Sequence, residues 1–286
     1  MSKLDHKMMD ISEKIGRGSN GSIYPLKNDK NWVIKHIIAR DLEEFLKLMK
    51  SIVLGFSCDH PAIIPIKDYS VEEIKPQAFN IYLKMPRMKT NLADFIKQRN
   101  DQIKGRLEEE KILEYLYTLV CALEYLRIKD IIHGHIKPNN ILFDDEYRIN
   151  LADVGSGSAG NDEQLENGII IQSDTGFYMA PEILVNSGGS LKRDDFFAGD
   201  VWSLGVVISE LCLLKKEMIN PHLYPKESIV EKMLARIQKK YSKELVDILR
   251  GMVCVDPKQR KSIHEIRQAL EKKPLEIQVL FIYQKQ

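Results

Sequence analysis

A chain of 286 residues can bury a sizeable core, as one large domain or two ordinary ones. Its 42 Lys and Arg face 41 Asp and Glu, so, local basic patches aside, composition makes no case for nucleic-acid or membrane-surface binding. A hydrophobic content of 44% with 29% charged residues describes an ordinary globular protein.

Residues 1–10 carry charge throughout and have no apolar core, so no signal peptide is expected. Ile11–Ile15 reads as a strand that enters a glycine-rich turn, and Ser22–Leu26 and Asn31–Ile37 resume strand patterning around an Asn28-Asp29 turn. Over Asp41–Gly55 the period changes: Leu42, Phe45, Leu46, Met49 and Val53 recur every three to four residues, which predicts a helix. His60-Pro61 ends it, because proline disfavours helical geometry in the residue before it. Ile63–Ile66 and Phe79–Met85 are strand-like. Helices are then expected over Leu92–Gln98, Glu108–Ile128, Val201–Leu214, Ser228–Ile237, Lys243–Val253 and Ile263–Glu271. Strands plus one helix followed by a helical remainder is an α+β arrangement of two lobes. With no repeat, low-complexity segment or Gly/Ser linker, one domain over residues 1–286 is expected.

Val201–Leu214 is the longest apolar run, interrupted by Ser203, Ser209 and Glu210; too short for a bilayer span, it reads as a buried helix. Cys58, Cys121, Cys212 and Cys254 form no C-x-x-C pair and read as buried thiols, which suits a reducing compartment and a cytoplasmic protein. After Pro274, the residues Leu275, Ile277, Val279, Phe281 and Tyr283 alternate at period two. That tail is expected to be extended and covered, either by the protein's own surface or by another chain.

Gly16, Gly18 and Gly21 fit G-x-G-x-x-G, with Ile23 two residues on. Such glycines let backbone N–H groups approach phosphates. A dinucleotide-binding loop needs a helix next, whereas Ser22-Ile23-Tyr24-Pro25 looks like a strand. Fourteen residues beyond Gly21, Val33-Ile34-Lys35 places a lysine in an apolar strand. His133-Gly134-His135-Ile136-Lys137-Pro138-Asn139-Asn140 comes next, with Asp153-Val154-Gly155 beginning 13 residues past Asn140. Then follow Met179-Ala180-Pro181-Glu182, Asp200-Val201-Trp202-Ser203-Leu204-Gly205 and Asp256-Pro257-Lys258-Gln259-Arg260. In this order and spacing they resemble the protein kinase family over almost the whole chain. Lys137 and Thr175 fit its serine/threonine branch best.

The resemblance implies a two-lobed kinase fold: an N-lobe over about residues 1–86, a hinge at about 86–89, a C-lobe over about 90–273 and a tail at 274–286. It implies ATP and Mg²⁺ as cofactors. Gly16, Gly18 and Gly21 would cover the phosphates, and Lys35 would hold two of them. Ile23, Val33 and Leu142 would line the nucleotide pocket, with Met85 as gatekeeper and Pro86 and Met88 offering hinge backbone groups to adenine. Asn140 and Asp153 would hold the metal, Lys137 would neutralise the γ-phosphate, and His135 occupies the catalytic-base position. Glu182 with Arg260, and Asp200, would be scaffold.

Five residues depart from the family pattern. His135 and Gly134 stand where it has Asp and Arg; Asp144 and Asp145 lie too far along to substitute, while a neutral His135 is an available base near pH 7. Ser51 stands where a glutamate should pair with Lys35; Glu43 or Glu44 would reach it only through a shifted helix. Val154 replaces Phe after the metal-binding Asp, and Val33 replaces the alanine above adenine. The expected function is therefore a pseudokinase that binds ATP and regulates or scaffolds another protein, a kinase or signalling partner. The alternative is a weakly active serine/threonine protein kinase. No nucleic acid and no membrane span are expected, and the oligomeric state is open.

Overall fold

The Asn28-Asp29 turn reverses the chain as its residues suggest. Gly21–Leu26 (β2) and Asp29–Ala39 (β3) pair antiparallel, with Ile23 opposite Lys35. The computed structural model describes residues 4, 6–18, 21–102, 106–155, 176–185, 191–215 and 227–272. The turn residues Ser19 and Asn20, Thr175, and the tail at 274–286 lie outside them. Gly16–Gly18 (β1) pairs with β2, while Asp68–Lys75 (β4) and Ala78–Pro86 (β5) complete a five-stranded antiparallel sheet in the order β1-β2-β3-β5-β4.

Two expected strands are corrected. At Ile11–Ile15 the chain turns instead: Ser12 donates from both N–H and Oγ to Asp10 Oδ1, and Ile11 is 71% exposed. At Ile63–Ile66 there is one bridge, Ile63 to Leu151, because the run threads between the lobes with Ile63 and Ile64 buried in different clusters. Strand β4 was not anticipated: on the sheet edge it buries only Ser70, so it lacks an apolar alternation.

Helix α1, Leu42–Phe56, starts where Asp41 accepts the Glu44 N–H at 2.8 Å, with Glu43 and Glu44 favourably placed in the first turn. Its inner face, including Phe45, Leu48, Met49 and Ile52, packs on the sheet, and Phe45 stacks on Phe79 at 4.1 Å.

The second lobe opens with β6 (Thr90–Asn91), α2 (Leu92–Gln102) and α3 (Glu109–Ile128). Short strands β7 (Ile141–Phe143) and β8 (Ile149–Leu151) join β6 in a three-stranded sheet. Helices α4 (Pro181–Val185), α5 (Arg193–Leu213), α6 (Glu227–Gln238), α7 (Lys243–Met252) and α8 (Ile263–Glu271) follow. The fold is thus the α+β, two-lobed one expected. Helix α5 begins eight residues before the apolar run, where the Lys192 N–H donates to Asp195 Oδ2 at 2.8 Å. By length and composition it could cross a membrane, yet 89% of its apolar window is buried in the fold. The polar residues that interrupt its apolar run are bonded there: Ser203 and Ser209 donate to the carbonyls of Gly199 and Gly205, and Tyr178 OH donates to Glu210. All four cysteines are free, with Cys212 fully buried.

Candidate active site

On β3 the side chains of Val33, Lys35 and Ile37 share one face by the two-residue period. Val33 and Ile37 enter an apolar cluster, and Lys35 is drawn in with them, leaving its side chain 7% exposed. A buried ammonium needs a partner. It finds Asp153 at 2.5 Å, from 118 residues further along.

Asp153 follows β8 with φ of +60°, a backbone region that L residues adopt at a cost and that is typical of functional positions. Gly155, at φ +87°, completes the turn: a Cβ there would lie 3.1 Å from Leu54 Cβ and 3.2 Å from the Ser51 carbonyl. Helix α1 therefore sits tightly on this turn. Ser51 Oγ donates to the Val154 carbonyl at 3.1 Å, and Val154 is buried. Glu43 pairs with Lys47 at 2.8 Å, and Glu44 accepts the Arg40 N–H. Neither reaches Lys35, so the shifted-helix alternative fails.

The loop after α3 is held from below by Asp200 of α5, which accepts the N–H of His133 at 2.9 Å and of Gly134 at 2.8 Å. Burial pushes the Asp200 carboxyl up to about 7, against the opposing pull of those two bonds. Gly134 has φ of +69°, which glycine adopts without strain. His133 is fully buried; its Nε2–H donates to the Ala152 carbonyl at 2.9 Å, and its Nδ1 accepts the His135 N–H at 3.2 Å. Those roles require the neutral ring, and burial pushes its pKa down to about 4.

His135 is 6% exposed. Burial, then the Lys137 cation, lowers its pKa to about 4, with Asp153 pulling the other way. The ring is neutral at pH 7, as expected, but it is a much weaker base than an ordinary imidazole. The expectation of a base matched to pH 7 is corrected by this burial.

Asn140 closes a 3-10 turn, Pro138–Asn140, and its Nδ2 donates to the His135 carbonyl at 2.8 Å. That bond assigns the amide orientation and leaves the carboxamide oxygen as the acceptor end. The Asn140 carbonyl accepts the Ala152 N–H at 2.9 Å, so Asn140 and Asp153 are tied across adjacent backbone. An amide oxygen and a carboxylate are hard donors suited to Mg²⁺. Among the described residues no cluster of three His, Cys, Asp or Glu could hold a metal, so a cation here would complete its shell from phosphate and water.

The purine-lining candidates also come together. Val33, Met85, Ile23, Leu142 and Met88 belong to one cluster with Ala152. Pro86 ends β5 opposite Trp32, and the Arg87 N–H donates to the Asn31 carbonyl at 2.7 Å, which sets the turn into the hinge. Gly16 lies opposite Ile23 and Gly18 opposite Gly21 in the hairpin above. A Cβ on Gly21 would stand 2.3 Å from the His36 carbonyl, so packing alone demands that glycine. Behind Met85 an open cleft is lined by Lys35, Leu48, Ser51, Leu83 and Asp153 among others. Lys137 is buried beside His135. Sequence reasoning missed His133 and the hydroxyl bond of Ser51; only the H-x-H pattern hinted at the first.

The two histidines make a pH prediction. Their folded pKa values lie below the unfolded value, so the fold binds fewer protons than the unfolded chain between about pH 6.5 and 4. Their contribution is complete above pH 6.5 and is lost as pH falls through 4. Urea denaturation is expected to show stability falling with pH over that window, by less than the two rings alone would give, because the raised carboxyl of Asp200 binds its proton earlier in the fold than in the unfolded chain and contributes with the opposite sign. His135→Asn should flatten part of the drop; an unchanged slope would mean that His135 titrates normally.

A sequence model described as the protein kinase domain matches residues 9–270. CBL-interacting protein kinase 28 of Oryza sativa subsp. japonica is 26% identical over 277 residues, covering 94% of this chain and 60% of that protein. Mitogen-activated protein kinase 5 of Oryza sativa subsp. indica is 30% identical over 203 residues, covering 69% of this chain and 51% of its own length. Serine/threonine-protein kinase KDX1 of Saccharomyces cerevisiae is 28% identical over 217 residues, covering 72% and 48%. The chain thus spans about half to three-fifths of the relatives it matches.

Proposed function

Since this chain belongs to the protein kinase family, with serine/threonine kinases among its relatives, we propose that it is a pseudokinase that binds ATP and regulates or scaffolds another signalling protein. His135 carries this reading. Where the family resemblance puts a carboxylate that accepts and orients the substrate hydroxyl, a buried neutral imidazole of pKa about 4 stands instead. Ser51, at the position of the helix glutamate, bonds the Val154 carbonyl and leaves Lys35 to Asp153. Four free cysteines support a cytoplasmic setting, and the balanced charge argues against nucleic acid as the partner.

Bound ATP and Mg²⁺ would supply the transferable phosphoryl group and offset the triphosphate charge. On the protein's side, Lys35 offers a cation on a rigid strand, and the cluster around Val33 offers an apolar floor. Asn140 and Asp153 offer oxygens to the cation. Their convergence also favours the second reading, a weakly active serine/threonine kinase.

Thermal denaturation with ATP, with and without Mg²⁺, tests the binding half. ATP at 100 times its Kd is expected to add about 2.7 kcal/mol of stability. Lys35→Met keeps the aliphatic stem and removes the charge, so the shift, measured against the variant's own ligand-free melting temperature, should disappear. An equal shift in wild type and Lys35→Met, or none in millimolar ATP, would sink the nucleotide reading.

A further inference from the structure

Charge around the candidate site is weighted toward the cations. Among the described residues, Lys35 and Lys137 face a single carboxylate, Asp153, and all three act on His135 through their charge. Asp200, the other carboxylate close by, lies beneath the loop and accepts the N–H groups of His133 and Gly134. The two positions where the family resemblance expects further carboxylates hold His135 and Ser51 instead.

The one carboxylate that could hold a cation is already paired with one. The side chains of Lys35 and Asp153 are 7% and 14% exposed and bond at 2.5 Å. A divalent cation at Asp153 has to take that carboxylate from Lys35, leaving a buried ammonium beside a dication. No helix carboxylate is there to receive the lysine: Ser51 Oγ donates to the Val154 carbonyl, Glu43 pairs with Lys47, and Glu44 accepts the Arg40 N–H. A phosphate needs no such exchange. An ammonium has three donors and the bond to Asp153 uses one, so a phosphate oxygen can accept another while the pair stays intact.

We infer that the site binds the nucleoside triphosphate as the metal-free tetraanion, with Lys35 and Lys137 supplying the positive charge that a divalent cation would otherwise bring. The inference rests on the nucleotide reading above and fixes the form in which the ligand is held. Asn140 and Asp153 remain hard donors, but at Asp153 a cation from solution competes with one tethered to β3. A triphosphate held in this way is a bound ligand rather than a phosphoryl donor, because transfer needs the metal to neutralise the charge that develops on the phosphates.

Calorimetric titration of the full chain with ATP, in excess EDTA and in excess Mg²⁺, tests the inference. Binding is expected to be tighter in EDTA by about threefold or more, because the tetraanion meets a site with surplus positive charge. Asp153→Asn removes the anion beside Lys35 and should tighten metal-free binding by about tenfold. In a metal-carried mode the same variant weakens binding in Mg²⁺. Ser51→Glu offers Lys35 a carboxylate and releases Asp153, so ATP should then bind more tightly in Mg²⁺ than in EDTA. Wild-type binding that requires Mg²⁺ or is tightened by it would overturn the inference and leave the nucleotide reading in place. Weaker binding by Asp153→Asn in EDTA would do the same. No binding in either buffer would overturn both.

Discussion

Transfer of the ATP γ-phosphate to serine or threonine peptides by this chain is expected to run about 10²–10⁴ below the roughly 1–100 s⁻¹ of ordinary kinases. The cause is the identity of residue 135. A neutral ring of pKa about 4 neither attracts nor accepts the hydroxyl proton as a carboxylate would, and it adds no negative charge to orient the donor. His135→Asp is the complementary experiment. Lys137 and Lys35 both disfavour a proton on His135 through their charge, and the same charges favour a carboxylate at that position. The pocket is therefore already suited electrostatically to an aspartate, and a gain of tenfold or more in single-turnover phosphorylation is expected. Adding Ser51→Glu should raise it further by giving Lys35 a helix partner, at the loss of the bond to the Val154 carbonyl. Fast transfer by the wild type that disappears in Asp153→Asn would refute the pseudokinase assignment. Silence from both variants would move the defect to Val154 or Val33.

Arg260→Met should cost about 3–5 kcal/mol of stability, because it strands a buried carboxylate. The Arg260 side chain is completely buried, and its guanidinium forks onto Glu182 at 2.6 and 2.9 Å. It also donates to the carbonyls of Cys254 and Ala198, each at 3.0 Å, and lies 5.1 Å from the Trp202 ring centroid. Its α4 partner is 13% exposed, so water can do little to compensate Glu182 once the arginine is gone. At about 2–4 °C per kcal/mol, the melting temperature should fall by roughly 10 °C. Glu182→Leu combined with Arg260→Met removes both charges and should recover part of the loss, since a buried pair is often replaceable by apolar residues of similar size. A single-variant loss below about 1 kcal/mol would show that the pair does not hold α4 onto α5.

Much of this was legible in the sequence because the signals are local. Ile263–Glu271 is a helix to the residue, since Ser262 and Glu265 cap each other within one turn and its apolar positions repeat on one face. The glycine hairpin was readable from turn chemistry, and the loss of a carboxylate at residue 135 from a motif that spans eight residues. Edge strand β4 was not readable, because a strand that buries only Ser70 carries no apolar alternation to detect. Ile63–Ile66 misled for the opposite reason: four apolar neighbours bury themselves against two different clusters without a ladder.

The sequence by itself therefore determined the order of the elements, the two-lobed class, and which chemical groups could meet at a site. Tertiary structure alone decided what those groups do to one another. Lys35 finds its carboxylate 118 residues away, and Ser51 finds a carbonyl 103 residues away. Whether His133 and His135 are charged depends on how completely the surrounding chain excludes water. The face of α1 left outside depends on which face Phe79 and the sheet cover. Periodicity and capping act over a few residues of covalent chain, whereas burial, ion pairing and proton affinity depend on distances that exist only once the chain has folded back on itself.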